Sequence, residues 1–123
     1  MAWKLFIDDE RAPLYDFADA VQAFDVPQAI QLIEARGLPE AISFDHDLGA
    51  TAAGPKDPST VFMRYLIDQH LDGVLDLTTV KQVVVHTNNV VGGPALISLW
   101  DSFISFCGAG CRAEYRPRKG LNE

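Results

Sequence analysis

Ala41-Ile42-Ser43-Phe44-Asp45-His46-Asp47 is the stretch on which the reading of this chain turns. A short apolar run, the length of a buried strand, stops abruptly in two carboxylates and an imidazole. The same switch occurs twice more. Trp3 to Ile7 runs into Asp8-Asp9-Glu10, and the β-branched run Val80 to Val85 runs into His86-Thr87-Asn88-Asn89. If the three runs are parallel strands, their polar ends lie side by side along one edge of a sheet.

The segments between these runs supply the helices. Val26 to Arg36 reads as a helix, with Pro27 in its first turn, Ala29, Ile30, Leu32 and Ile33 as its apolar face, and Gly37 as its stop. Gly49 to Asp57 reads as a loop of small residues. Asp57 is expected to cap a helix that has Pro58 at its first position and Phe62, Met63, Leu66, Ile67 and Leu71 at helical spacing. Gly92-Gly93-Pro94 opens a third helix, with Leu96, Leu99, Trp100, Phe103 and Ile104 on one side and Gly108 closing it. Ala20 to Phe24 is a second strand, although Tyr15 to Asp25 also has helical character. Arg112 to Tyr115 is the last strand. Alternating strands and helices with right-handed crossovers predict a doubly wound parallel sheet of about five strands in a three-layer α/β/α arrangement. Ligands of such folds bind beyond the carboxyl ends of the strands.

At 123 residues, with 48% hydrophobic and 22% charged residues, the chain fits one globular domain spanning residues 1–123. It has no apolar run long enough for a membrane span and no signal-peptide pattern, so a cytosolic protein is expected. The formal net charge of -7 argues against broad DNA binding. Positive charge concentrates near the end, in Arg112, Arg116, Arg118 and Lys119. Cys107 and Cys111 lack the further soft ligands of a zinc site and are expected as plain thiols.

Clustered carboxylates repel one another unless some are protonated or a cation sits among them. Asp8, Asp9, Asp45 and Asp47 are therefore candidate ligands for Mg²⁺ or Mn²⁺. His46 and His86 are a candidate acid/base pair, with Asp45 beside them. Thr87, Asn88, Asn89 and the amides of Gly92 and Gly93 can hold phosphate oxygens. Arg11 can hold a phosphate or pair with a neighbouring acid, and Arg116 is a phosphate candidate from the last strand. His70 reads as surface or packing. Asp45-His46-Asp47 also has the form of an Asp-x-Asp phosphatase nucleophile, but such enzymes carry that motif on their first strand.

These motifs resemble those of the response-regulator receiver superfamily, and most closely its cyclic-phosphate-processing receiver-like branch. LFIDDERAP (Leu5 to Pro13) and ISFDHDLG (Ile42 to Gly49) match the branch's first two motifs. VHTNNVVGG (Val85 to Gly93) is similar to its third, with Thr87 for the usual Ser and Asn89-Val90 for Asn-Pro. The resemblance implies a receiver, flavodoxin-like fold and a metal-dependent phosphoesterase acting on cyclic or terminal phosphates of nucleotides or RNA ends. It also implies that Asp8 and Asp9 are metal ligands and that Asp45 matches the receiver's phospho-accepting aspartate. The receiver's lysine after the last strand has no match, since Tyr115-Arg116-Pro117 stands there. The alternative is a non-catalytic receiver-like module that binds a nucleotide or a protein.

Overall fold

A computed structural model describes residues 2–13, 15–48, 50–51, 54–55, 57–87, 89 and 91–116. In chain order the elements are β1 (Lys4–Ile7), a 3-10 turn (Tyr15–Phe17), β2 (Val21–Ala23), α1 (Val26–Arg36), β3 (Ala41–Phe44), β4 (Ala50–Thr51) and β5 (Gly54–Pro55). There follow α2 (Ser59–Leu71), a second 3-10 turn (Leu77–Thr79), β6 (Gln82–Val85), α3 (Gly92–Cys107) and β7 (Ala113–Tyr115). Five strands form one sheet in the order β2-β1-β3-β6-β7, and every pairing is parallel. This is the doubly wound, flavodoxin-like sheet of the sequence reading.

The two faces of the sheet are covered unequally. Right-handed crossovers place every rightward step of the chain on the same face. The steps β2 to β3, β3 to β6 and β6 to β7 all run rightward, so α1, α2 and α3 share that face. There Leu5, Ile7, Ile42, Phe44, Val83 and Val85 pack against Ile33, Phe62, Leu66, Leu96 and Trp100. Only the step from β1 to β2 runs the other way. Its helical character yields a single 3-10 turn, so the described layer on the second face is thin: Phe17, with Ala20, packed on Phe6, Ala41 and Val84.

Local chemistry sets the helix ends. In α1, Asp25 accepts a hydrogen bond from the Gln28 amide at 2.9 Å, Pro27 sits in the first turn, and Gly37 at φ 78° ends the helix. At α2 the expected Asp57 cap is not what forms. Pro58 holds the cap position without a side-chain bond. Backbone carbonyls from the end of β3 satisfy this terminus instead: the Ser59 amide donates to the His46 carbonyl at 3.1 Å and the Ser59 hydroxyl donates to the Asp45 carbonyl. The expected loop from Gly49 to Asp57 contains a short antiparallel pair, β4 with β5. Cys107 ends α3 and Cys111 precedes β7, both as free thiols.

Candidate active site

The site follows from strand register. Ile7 pairs with Phe44, and Phe44 with Val85. The first residue after each strand is Asp8, Asp45 or His86, so these three stand in one row across the sheet. The ladder continues through them, with the Asp45 amide donating to the Ile7 carbonyl at 3.0 Å and the His86 amide to Phe44 at 2.8 Å. Side chains alternate along a strand, so the row shares the second face with Phe6, Ser43 and Val84.

Asp8 is 1% exposed. Its Oδ1 accepts from the Glu10 amide at 2.8 Å and the Arg11 amide at 3.1 Å, which turns the chain at the end of β1. The amide of Gln22 on β2 pins the same turn, donating to the carbonyls of Asp8 at 2.9 Å and Arg11 at 2.6 Å. Asp8 Oδ2 lies 3.2 Å from His86 Nε2. The imidazole reaches over the middle strand to make that contact. Ser43 is small enough to lie beneath it, with Oγ 2.5 Å from Nδ1. Phe6 stacks on the ring at 4.5 Å between centroids and 10° between planes.

Asp8, Asp45 and His86 each offer one donor atom, and these atoms lie within 4.8 Å of one another. Burial, then the neighbouring Asp8 charge, push the Asp45 carboxyl up to about 6, against His86, a hydrogen bond from Thr87 and the charge of Arg11. Burial raises the Asp8 carboxyl as well, but the bonds from His86 and the two amides outweigh it and hold Asp8 below its ordinary value. Two carboxylates thus compete for one buried position, and only one holds its charge readily. A divalent cation resolves such a conflict. Two oxygens and an imidazole nitrogen suit Mn²⁺ or another first-row ion better than Mg²⁺, which prefers an all-oxygen shell.

The remaining named residues are placed as follows. Asp9, next along the turn from Asp8, is not in the three-residue group. Asp47 is held outside the row, with Oδ1 2.8 Å from His46 Nδ1 and Oδ2 accepting from Asn89 Nδ2 at 3.0 Å. The Asn89 bond keeps its carboxyl below the ordinary value against the opposing effect of burial, with His46 adding to it. His46 is therefore oriented by a carboxylate through Nδ1, and among the described residues Nε2 has no hydrogen-bond partner. The His46 ring lies flat against Gly92: a Cβ there would come within 2.3 Å of Cγ.

Several expected phosphate donors are committed to the fold. The Gly92 amide donates to Asn89 Oδ1 at 2.6 Å and the Gly93 amide to the Asn89 carbonyl at 2.9 Å, so Asn89 occupies both amides and neither is free for an anion. The glycines serve close packing: a Cβ on Gly93 would meet Thr87 Cγ2 and Tyr115 Cε1 at 3.0 Å. Thr87 is 2% exposed and its hydroxyl serves Asp45 and the Asn89 amide. Arg116 extends the row beyond His86, its amide donating to Val85 at 2.8 Å, but its guanidinium turns to Asp16 at 2.8 and 3.1 Å and to Glu114. Asn88, Arg118 and Lys119 lie outside the described residues. Arg11 remains as the basic side chain whose charge bears on Asp45. His70, read as surface or packing, lies edge-on to Phe103 at 4.9 Å and accepts from the Leu77 amide at 3.1 Å.

Sequence reading passed over Ser43, Phe6 and Gln22. The signal for the first two was present, because each stands two residues before a member of the row and so on its face.

The family model of the cyclic-phosphate processing receiver domain matches residues 3–102. The chain belongs to that family. No curated protein and no solved structure gives a significant match. The match takes in β1 to β6, most of α3 and all three residues of the row, while β7 and Arg116 lie beyond it. This receiver domain is thereby linked to cyclic-phosphate processing. No helix among its described residues is long and apolar enough to cross a membrane.

Proposed function

We propose that this receiver domain is a metal-dependent phosphoesterase acting on cyclic or terminal phosphates of nucleotides or RNA ends. The observation that carries the reading is the row of buried Asp8 with half-buried Asp45 and His86, whose donor atoms converge within 4.8 Å beyond the carboxyl ends of three parallel strands. Membership in the family supports the substrate class.

In this reading Asp8, Asp45 and His86 hold a divalent cation, Mn²⁺ before Mg²⁺. Such an ion, when bound, polarises a phosphoryl oxygen and lowers the pKa of water. Asp8 remains ionised because His86 and two amides serve it. Thr87 holds the Asp45 carboxylate in place. Arg11, at the turn after β1, attracts the phosphate. His46 delivers a proton to the leaving oxygen from Nε2, while Asp47 on Nδ1 fixes the ring. Attraction for the phosphate would thus come from the cation that the row holds and from Arg11, rather than from the amides at the start of α3.

The test is a hydrolysis assay on 2′,3′-cyclic and 3′,5′-cyclic nucleotides and on RNA with cyclic ends, with and without Mn²⁺. Turnover is expected with Mn²⁺, lost on chelation, and reduced at least 10³-fold in Asp8→Asn and Asp45→Asn, both still folded by circular dichroism (about 4 kcal/mol of barrier or more). Wild-type turnover in both variants would overturn the metal mechanism. Ligand binding without consumption, or an acid-labile phosphate on Asp45 formed from a small phosphodonor, would favour the binding or signalling module instead.

A further inference from the structure

Ser43 lies inside the sheet at 2% exposure, and its hydroxyl has one hydrogen-bond partner among the described residues, His86 Nδ1 at 2.5 Å. His86 Nε2 faces the Asp8 carboxylate at 3.2 Å, and Phe6 covers one face of the ring. The imidazole therefore has a fixed plane and one partner on each nitrogen. Those partners differ in kind. A carboxylate only accepts, whereas a serine hydroxyl both donates and accepts.

We infer that Ser43 is a positioning residue that lets His86 exchange tautomers, so that the same ring satisfies Asp8 without a cation and serves as the nitrogen ligand with one. Without a cation, Nε2–H donates to the Asp8 carboxylate and the Ser43 hydroxyl donates to Nδ1. With a cation, the Nε2 lone pair faces the ion, the ring proton resides on Nδ1, and Ser43 accepts it. One proton moves from Nε2 to Nδ1, so the ring's charge is unchanged. An imidazole ligand commonly needs a partner on its second nitrogen to fix the ring and raise its basicity. Ser43 is that partner, and its small side chain also gives the ring room to cross β3. The inference rests on the cation site of the proposed function and adds how that site is prepared.

The test reads the ring directly. Long-range ¹⁵N NMR of His86 is recorded at pH 8 in the cation-free protein and after addition of ZnCl₂, a diamagnetic probe. The expected result is an Nε2–H ring without zinc and an Nδ1–H ring with it. In Ser43→Ala the cation-free ring keeps Nε2–H, because Asp8 remains, but zinc affinity falls about ten- to a hundred-fold. Ser43→Thr retains the hydroxyl and restores affinity to within a few-fold. Zinc affinity unchanged in Ser43→Ala, the same tautomer with and without zinc, or no zinc binding by the wild type would each overturn the inference. Neither readout needs turnover. A protein that switches tautomer but hydrolyses no cyclic phosphate keeps this inference and loses the phosphoesterase reading, and hydrolysis without a tautomer change does the reverse.

Discussion

A methyl group at position 92 has no room. The Cβ of Gly92→Ala would lie 2.3 Å from His46 Cγ and 2.5 Å from Cδ2 and Nδ1. Cγ moves only by a change of rotamer about Cα–Cβ, which would break the Nδ1 contact with Asp47. The backbone of His46 is itself tied down, since its carbonyl accepts from Ser59 at the start of α2. Gly92→Ala is therefore expected to cost about 1–3 kcal/mol, the usual range for overpacking. At Gly93 the contacts are 3.0 Å to Thr87 Cγ2 and Tyr115 Cε1, which a small adjustment relieves. There the better helix propensity of alanine, worth up to about 1 kcal/mol, offsets most of the strain. Urea denaturation of the two variants should rank Gly92→Ala well below Gly93→Ala. Equal midpoints would show that the His46 ring is not held against α3.

Among the described residues the second face is covered by one element, the 3-10 turn Tyr15–Phe17, and Phe17 with Ala20 gives it little apolar area. Charge supplies the rest. Asp16 accepts two bonds from Arg116 on the far edge of the sheet and one from Gln82 on β6 at 2.9 Å, while its carbonyl accepts from Lys4 at 2.7 Å. The Arg116 bond holds the Asp16 carboxyl well below its ordinary range against the opposing effect of burial, with Gln82 helping. A depressed folded pKa contributes stability above the unfolded value, near 4, and loses it as pH falls through the folded one. Asp16→Asn should therefore lower stability at pH 7, and the gap to the wild type should shrink as pH falls below about 4. A gap that is constant across that range would mean the contact is steric rather than ionic. None of this was legible in the sequence, where Arg116 read as a phosphate ligand, because Asp16 lies 100 residues away in the chain. Elements governed by their own residues were legible: α1 has the same bounds in sequence and structure, fixed by Pro27 and Gly37. Where a distant backbone supplies the partner, as at the start of α2, the local cap signal of Asp57 misled.

At the scale of the whole molecule, the fold and the site are nearly independent. The main core of Leu5, Ile42, Phe44, Phe62, Val83 and Trp100 contains no member of the row. That separation explains what sequence reading could reach. The apolar runs that build the core also announce where the strands end, so Asp8, Asp45 and His86 could all be named. Their convergence could not, because it depends on register and on which face each side chain takes; the sequence offered Asp8, Asp9, Asp45 and Asp47 as ligands and His46, His86 and Asp45 as acid/base groups, and the geometry brings Asp8, Asp45 and His86 together. The separation also sets a trade-off between stability and function. Asp45 is held at about 6 by burial and by Asp8, above the 3.8 of an ordinary aspartate. With the folded value raised, this group's contribution is fully present below about pH 4 and is lost as pH rises through 6. At pH 7.5 without a cation, the wild type therefore holds a buried carboxylate beside another. Asp45→Asn removes that conflict and can keep the bond from Thr87. It should be more stable than the wild type by about 1–2 kcal/mol under those conditions, the usual gain when a functional strain is removed, and the gain should vanish near pH 4. Saturating Mn²⁺ should then reverse the order. An ion bound only by the folded wild type adds stability as its concentration exceeds the dissociation constant, about 2.7 kcal/mol at a hundredfold excess, whereas the variant lacks a ligand and gains little. Denaturation curves with chelator and with Mn²⁺ at pH 7.5 decide the matter: a variant that is the weaker protein in chelator, or that gains as much from Mn²⁺ as the wild type, would show that Asp45 is not a ligand.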